Sequence, residues 1–234
     1  MAIATATARI SGGNMKLGNM GSFSKLYGND TFNTKYGAVT GTCGHHCEGC
    51  KNACYVRKSY RYPSVVNGHA RNTIAFRASL WDAFEALDKQ LTGKRKPWDI
   101  VRINQSGEIE SYSELCHWVV LAQSHPETRF YLYTKNFEAL ARLAQVGEQV
   151  PENFTALVSI WHEYGLEAFE ALKSQPWIKA FVYMDGFDYN AHGLEVETMC
   201  TAYDENGKMN HALTCDKCRK CFNSQFKVIG CYDH

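Results

Sequence analysis

The chain has 234 residues, with 25 Lys and Arg against 24 Asp and Glu, 45% hydrophobic and 21% charged residues, and 10 cysteines. This is the size of one generous domain or two small ones, and the composition excludes a disordered tail or a low-complexity fibre. A net charge of +1 gives no electrostatic case for a dedicated nucleic-acid or anionic-membrane binder.

Residues 1–30 are rich in Gly, Asn, Ser and Met and read as an irregular N-terminal arm ending in the turn signal Gly28-Asn29-Asp30. The opening MAIATATARISGG has neither the charged nor the apolar region of a secretory signal. No apolar stretch approaches the roughly 20 residues of a membrane span, so a cytoplasmic protein with no membrane partner is expected. TFNTKYGAVT (31–40) reads as the first strand and runs into a cysteine loop at 41–55. Val65–Leu91 carries a helical pattern, broken by the solvated turn Lys94-Arg95-Lys96-Pro97. From there the chain alternates. Strands are expected at 98–105, 129–135, 154–161 and 177–184, with a last one at 226–230. Helices are expected at Ser113–Gln123, Asn136–Val146 and Leu166–Ser174, with a Ser cap and Asn136 as caps of the first two.

The apolar runs are nearly continuous, as in parallel strands covered by helices. Strand–helix alternation predicts an α/β fold with right-handed βαβ units, either an open wound sheet or a partial barrel. The expected architecture is a partial barrel of five or six βα units over 31–198, with a Cys-rich C-terminal extension over 199–234 that holds a second metal site. Functional groups of such folds gather at the carboxyl ends of the strands. That rule puts the first cysteine loop, Gln105–Glu108, Tyr133–Asn136, Ser159, Trp161, His162 and Asp185 on one rim.

Clustered cysteines in a reducing compartment are metal ligands or catalytic thiols. The first loop, GTCGHHCEGCKNACY, offers three registers. Cys43, Cys47 and Cys50 have the C-x3-C-x2-C spacing of radical S-adenosylmethionine (SAM) proteins, in which three thiolates hold a [4Fe–4S] cluster with one iron open. Cys47, Cys50 and Cys54 resemble part of a ferredoxin run. Cys43, Cys50 and Cys54, with Tyr55 following, form a looser triple. Gly41, Gly44 and Gly49 let the backbone fold around such a centre. Zinc held by four thiolates, or by thiolates with His45 or His46, is the rival occupant. The second group, Cys200 and then Cys215, Cys218 and Cys221, reads C-x14-C-x2-C-x2-C. It fits a closed iron–sulfur or zinc centre, with Cys200 preferred over Cys231 as fourth ligand.

The segments TCGHHCEGCKNACY, YRYPSVVNGHARN, VRINQSGEI, FYLYTKN and the terminal C…TCDKCRKCF resemble the phage and plasmid gene-product-88 domain family, which looks like a divergent branch of radical SAM proteins. The resemblance covers roughly residues 15–234, and the family's first-loop pattern resembles the register of Cys43, Cys50 and Cys54-Tyr55. It implies an iron–sulfur protein that binds SAM and identifies no substrate; with one iron open, the expected function is a radical SAM-type enzyme that takes an electron from a reductant protein such as a ferredoxin or flavodoxin and starts radical chemistry. Ser106, Gly107 and Glu108 resemble the Gly-Gly-Glu segment that receives the SAM amine, with Glu108 as the amine ligand. Thr134, Lys135 or Ser159 would reach its carboxylate or ribose. The rivals are a non-catalytic iron–sulfur or zinc protein in which Cys47 or Cys54 closes the first site, and a metal-stabilised nucleic-acid-binding module. Other features have plainer readings. Arg57, Lys58, Arg61 and Arg71 with their interleaved tyrosines form a solvated face over packed aromatics, His162 and Asp185 are structural, and Cys116 is an apolar filler.

Overall fold

The computed structural model describes residues 6–93, 98–147, 149–202, 208, 210, 213–223 and 225–232. Its strands are β1 (Ser11–Gly12), β2 (Gly21–Ser22), β3 (Thr31–Thr34), β4 (Gly37–Thr40), β5 (Ile100–Ile103), β6 (Arg129–Thr134), β7 (Phe154–Trp161), β8 (Ile178–Tyr183), β9 (Thr198–Met199) and β10 (Val228–Cys231). Its helices are α1 (Glu48–Asn52), α2 (Pro63–Ala78), α3 (Leu80–Thr92), α4 (Tyr112–Ser124), α5 (Phe137–Val146), α6 (Leu166–Leu172) and α7 (Cys215–Cys218). Eight strands form one sheet in the order β1-β2-β5-β6-β7-β8-β10-β9. Only β1 against β2 is antiparallel in it. The fold is therefore α/β with a mostly parallel central sheet. The turn expected at Lys94–Pro97 lies outside the described residues.

Three helices, α3, α4 and α5, begin where a short polar side chain satisfies a free amide. Ser79 Oγ accepts from Asp82 N at 3.2 Å, Ser111 Oγ from Glu114 N at 3.2 Å, and Asn136 Oδ1 from Ala139 N at 3.1 Å. The Ser79 cap divides the long pattern of 65–91 into α2 and α3. Strand order follows chain order from β2 to β8 in the main sheet, and α2 to α6, which connect these strands, pack on one face of it. Val101, Ile103, Phe130, Leu132, Ala156, Val158, Ala180 and Val182 face those helices and form the main core. The intervening residues Arg102, Tyr131, Leu157 and Phe181 point to the other face. Leu17 and Met20 from the arm, with Phe222 from the C-terminal segment, cover that second face. No helix among the described residues is long and apolar enough to cross a membrane.

Two strand placements differ from the sequence-based expectation. Residues 31–40 fold back as the separate hairpin β3–β4, with Gly37 at φ 98°, and stay out of the main sheet. The position beside β5 belongs instead to β2, inside the arm read as irregular. Small residues at Gly21-Ser22 hide the strand in the sequence, yet Leu17, Met20, Phe23, Lys25 and Leu26 are all fully buried. At the other end, β10 enters the sheet beside β8, so the C-terminal segment supplies a strand as well as cysteines.

The tyrosine-rich stretch after the first loop packs as aromatics under a solvated face. Tyr60 lies against Tyr27, Phe32 and His69, while Arg57, Lys58 and Arg61 are exposed. Tyr60 Oη accepts from Tyr27 N and meets His69 Nδ1, both at 3.1 Å. Burial, aided by Arg71, lowers His69 to about 4. The unfolded chain therefore takes up this proton near pH 6.5 while the folded chain resists to about 4, so stability is lost as pH falls through that window. His69→Gln is expected to remove roughly 2 kcal/mol of the acid destabilisation measured by urea unfolding between neutral pH and mildly acidic pH.

Candidate functional site

The first cysteine loop is pinned by backbone contacts before its thiols are placed. Gly41 N donates to Asp30 O, Thr42 N to Leu26 O and Cys43 N to Gly28 O, at 2.9, 3.0 and 2.8 Å. A side chain at 41 would bring Cβ within 2.2 Å of Tyr27 O, so this approach requires glycine, whereas a Cβ at Gly44 would meet nothing within 4 Å. Cys43, Cys50 and Cys54 border a cavity of about 180 Å³. Cys47 does not border it and sits at the N-cap of α1. His46 also borders the cavity, its ring bonded to Cys43 O.

The Ser106-Gly107-Glu108 turn lies against this loop. Ser106 Oγ donates to Lys25 O at 2.9 Å, and Glu108 N donates to Thr42 Oγ1 at 2.9 Å. Gly107 has φ 84°, and a Cβ there would come within 2.7 Å of Thr42 Oγ1 and 2.8 Å of Lys25 Cβ. Gly107→Ala is expected to cost more than about 1 kcal/mol in urea unfolding and to disturb the thiols through Thr42. The Glu108 carboxylate accepts from Thr134 Oγ1 at 2.6 Å, Ile109 N at 2.8 Å and Lys135 N at 2.9 Å. Three of its roughly four acceptor positions are thus used inside the protein. Glu108 is a staple between the turns after β5 and β6 that retains one position for an incoming donor, and the Thr134 hydroxyl is committed to it.

Lys135 is the cation at this end of the cavity. Its Nζ donates to Ser159 Oγ at 2.9 Å and lies 5.6 Å from the centre of the Trp161 ring. Burial alone would lower its pKa, but the nearby Cys50 and Glu108 outweigh it and hold Lys135 above the usual lysine value. His162 and Asp185 do not border this cavity: the His162 ring meets Asp185 O at 2.9 Å, and Tyr189 Oη accepts from His162 N at 3.0 Å.

Cys200, Cys215, Cys218 and Cys221 border the same cavity from its far side, together with Cys231 at the end of β10. The arm holds their segment: Cys215 N donates to Lys16 O at 2.9 Å and Asp216 N to Leu17 O at 3.1 Å. From β8, Lys179 donates to the carbonyls of Lys220, Asn223 and Phe226. Hydroxyl donors reach the sulfurs, Tyr133 Oη to Cys221 Sγ at 2.9 Å and Thr201 Oγ1 to Cys218 Sγ at 3.2 Å. A hydrogen bond with Cys231 holds Cys200 down to about 6 and drives Cys231 upward.

This donor set suits a thiophilic metal. None of the ten cysteines is in a disulfide, and eight of them border one cavity. Burial, followed by Glu108, pushes Cys43 up to about 12, and burial, followed by Cys200, does the same to Cys221. Burial also raises Cys50, Cys54 and Cys215. Metal capture by these thiols must therefore release protons. Among the described residues no three His, Cys, Asp or Glu side chains are gathered as around a single ion. A cubane sets a different requirement, since each thiolate binds its own iron.

Several cavity residues carried little weight in the sequence: Lys16, Arg102, Asn104, Tyr55, Tyr133 and Cys231. One signal was available. Arg102 interrupts an otherwise apolar strand, and a charge there must face something other than the core.

No curated protein and no solved structure matches the chain. A family model described as gene product 88 matches residues 4–224, which includes both cysteine groups. On a match spanning nearly its whole length, the chain belongs to the gene product 88 family.

Proposed function

We propose that this protein is a radical SAM-type iron–sulfur enzyme, with a [4Fe–4S] cluster on Cys43, Cys50 and Cys54 and a second thiolate-bound centre, iron–sulfur or zinc, on Cys200, Cys215, Cys218 and Cys221. The observation that carries the reading is the shared cavity. Three first-loop thiols, the strand-end turn at Glu108 and the Lys135 ammonium all open onto it. The sequential order β2-β5-β6-β7-β8 supports the partial-barrel reading of the fold, because each βα unit then adds its strand-end loop to the same mouth.

When bound with one iron open, such a cluster supplies the electron that cleaves the sulfonium of SAM. The chain's own residues do the positioning. Lys135 sets a positive charge beside Cys50, which stabilises thiolate ligation and favours a ligand carboxylate. Glu108, fixed by Thr134, Ile109 and Lys135, offers its remaining lone pair to an ammonium. Ser159, already bonded to Lys135 Nζ, orients that ammonium. Trp161, stacked on Tyr183 with ring centres 4.1 Å apart, walls this end of the cavity.

The test is anaerobic reconstitution followed by incubation with SAM and a strong reductant. The expected result is brown protein with about four to eight irons per chain that releases 5′-deoxyadenosine. Brown protein that releases none is a closed electron-transfer or structural cluster. Colourless protein carrying zinc ends the enzyme reading.

A further inference from the structure

β5 and the turn after it bring to the cavity two side chains that the radical SAM reading leaves unused. Arg102 and Asn104 both border it and are only 8% and 4% exposed. Arg102 Nε and both amide atoms of Asn104 make no hydrogen bond among the described residues. The guanidinium reaches Tyr55 Oη at a long 3.4 Å and lies 4.7 Å from the centre of the Tyr133 ring. Among the described residues no carboxylate pairs with it.

A buried arginine stays ionised, and burial without a counter-charge is costly. A buried amide with neither donor nor acceptor satisfied adds to that cost. Asn104 also holds φ 48°, in the left-handed region. Three orphaned polar atoms, one from Arg102 in β5 and two from Asn104 in the turn that follows it, all at one cavity, are what an absent polar ligand leaves behind.

We propose that Arg102 and Asn104 anchor an oxyanion, the carboxylate or phosphate group of a small ligand lying between the two cysteine groups. Arg102 Nε–H and an Asn104 Nδ2–H donate to its oxygens. Asn104 Oδ1 accepts from an N–H or O–H of the same molecule. Naming that molecule the substrate rests on the radical reading; the anion site itself does not.

The test titrates the anaerobically reconstituted full chain with inorganic phosphate and, separately, with acetate and benzoate. Intrinsic fluorescence and the thermal midpoint are the readouts. Saturable binding of at least one of these anions is expected, and the phosphate and carboxylate arms show which oxyanion the site takes. Arg102→Met and Asn104→Gly should each weaken that binding at least tenfold. Asn104→Gly removes the amide while keeping the left-handed backbone free of strain, so it reports on the site even where Arg102→Met does not fold. The proposal is overturned if none of the anions binds, or if Asn104→Gly binds them as tightly as the parent. It is also overturned if Arg102→Met sheds metal from the C-terminal cysteines with anion affinity intact, because Arg102 would then be a counter-charge to a metal centre. Anion binding without release of 5′-deoxyadenosine keeps the site and removes the radical reading, and the converse result does the opposite.

Discussion

Cys43→Ala, Cys50→Ala and Cys54→Ala are each expected to strip the iron of the first loop and to lower 5′-deoxyadenosine formation by well over the roughly 100-fold that loss of a second-shell partner gives. Cys47→Ala should leave both nearly unchanged. The first three thiols border the cavity, whereas Cys47, at the N-cap position of α1, does not. An open-iron cluster takes three protein ligands, so one of the four cysteines must be dispensable, and the geometry selects Cys47. Iron content and the visible spectrum of each variant, purified without oxygen, decide the matter. If Cys47→Ala bleaches the protein while Cys43→Ala or Cys54→Ala does not, the ligand register is wrong.

The largest effect on stability is expected at Lys25. Its Nζ lies 2.7 Å from both oxygens of Glu114, with the two side chains 0% and 3% exposed. Burial raises the pKa of Glu114, and Lys25 opposes the shift. Glu114 Oε2 also accepts from Glu110 N at 2.9 Å. Removing one member of a buried pair strands the other, at a cost of about 3–5 kcal/mol. Lys25→Met should lose that much in urea unfolding. The double variant Lys25→Met/Glu114→Gln should recover part of it, because the charge is gone while the Gln oxygen still accepts from Glu110 N. A single-variant loss below about 1 kcal/mol would show that water reaches the pair. The pair joins the N-terminal arm to α4, so its loss should also loosen Ser106, whose hydroxyl donates to Lys25 O.

Most of the α/β framework was legible in the sequence. The strand at 154–161 coincides with β7, and those at 129–135, 177–184 and 226–230 fall within a residue or two of β6, β8 and β10 at most ends. Continuous apolar runs and capping residues are local signals, and local signals survive in sequence. The arm was not legible. Gly21 and Ser22 have no strand propensity, and their place beside β5 comes from pairing with Val101 and Arg102 about eighty residues away. The site shows the same division. By itself the sequence determined that ten cysteines lie mostly in two clusters, that both follow strand-like segments, and that Ser-Gly-Glu comes at a strand end. Only the tertiary structure decided that both clusters border one cavity, that Cys47 is left out of it and Cys231 is in it, and that Glu108 is largely committed to its neighbours. The physical reason is that spacing fixes which thiols lie near one another along the chain, while the direction of each side chain is set by strand alternation and by backbone pins such as Cys43 N on Gly28 O, made between segments far apart in sequence.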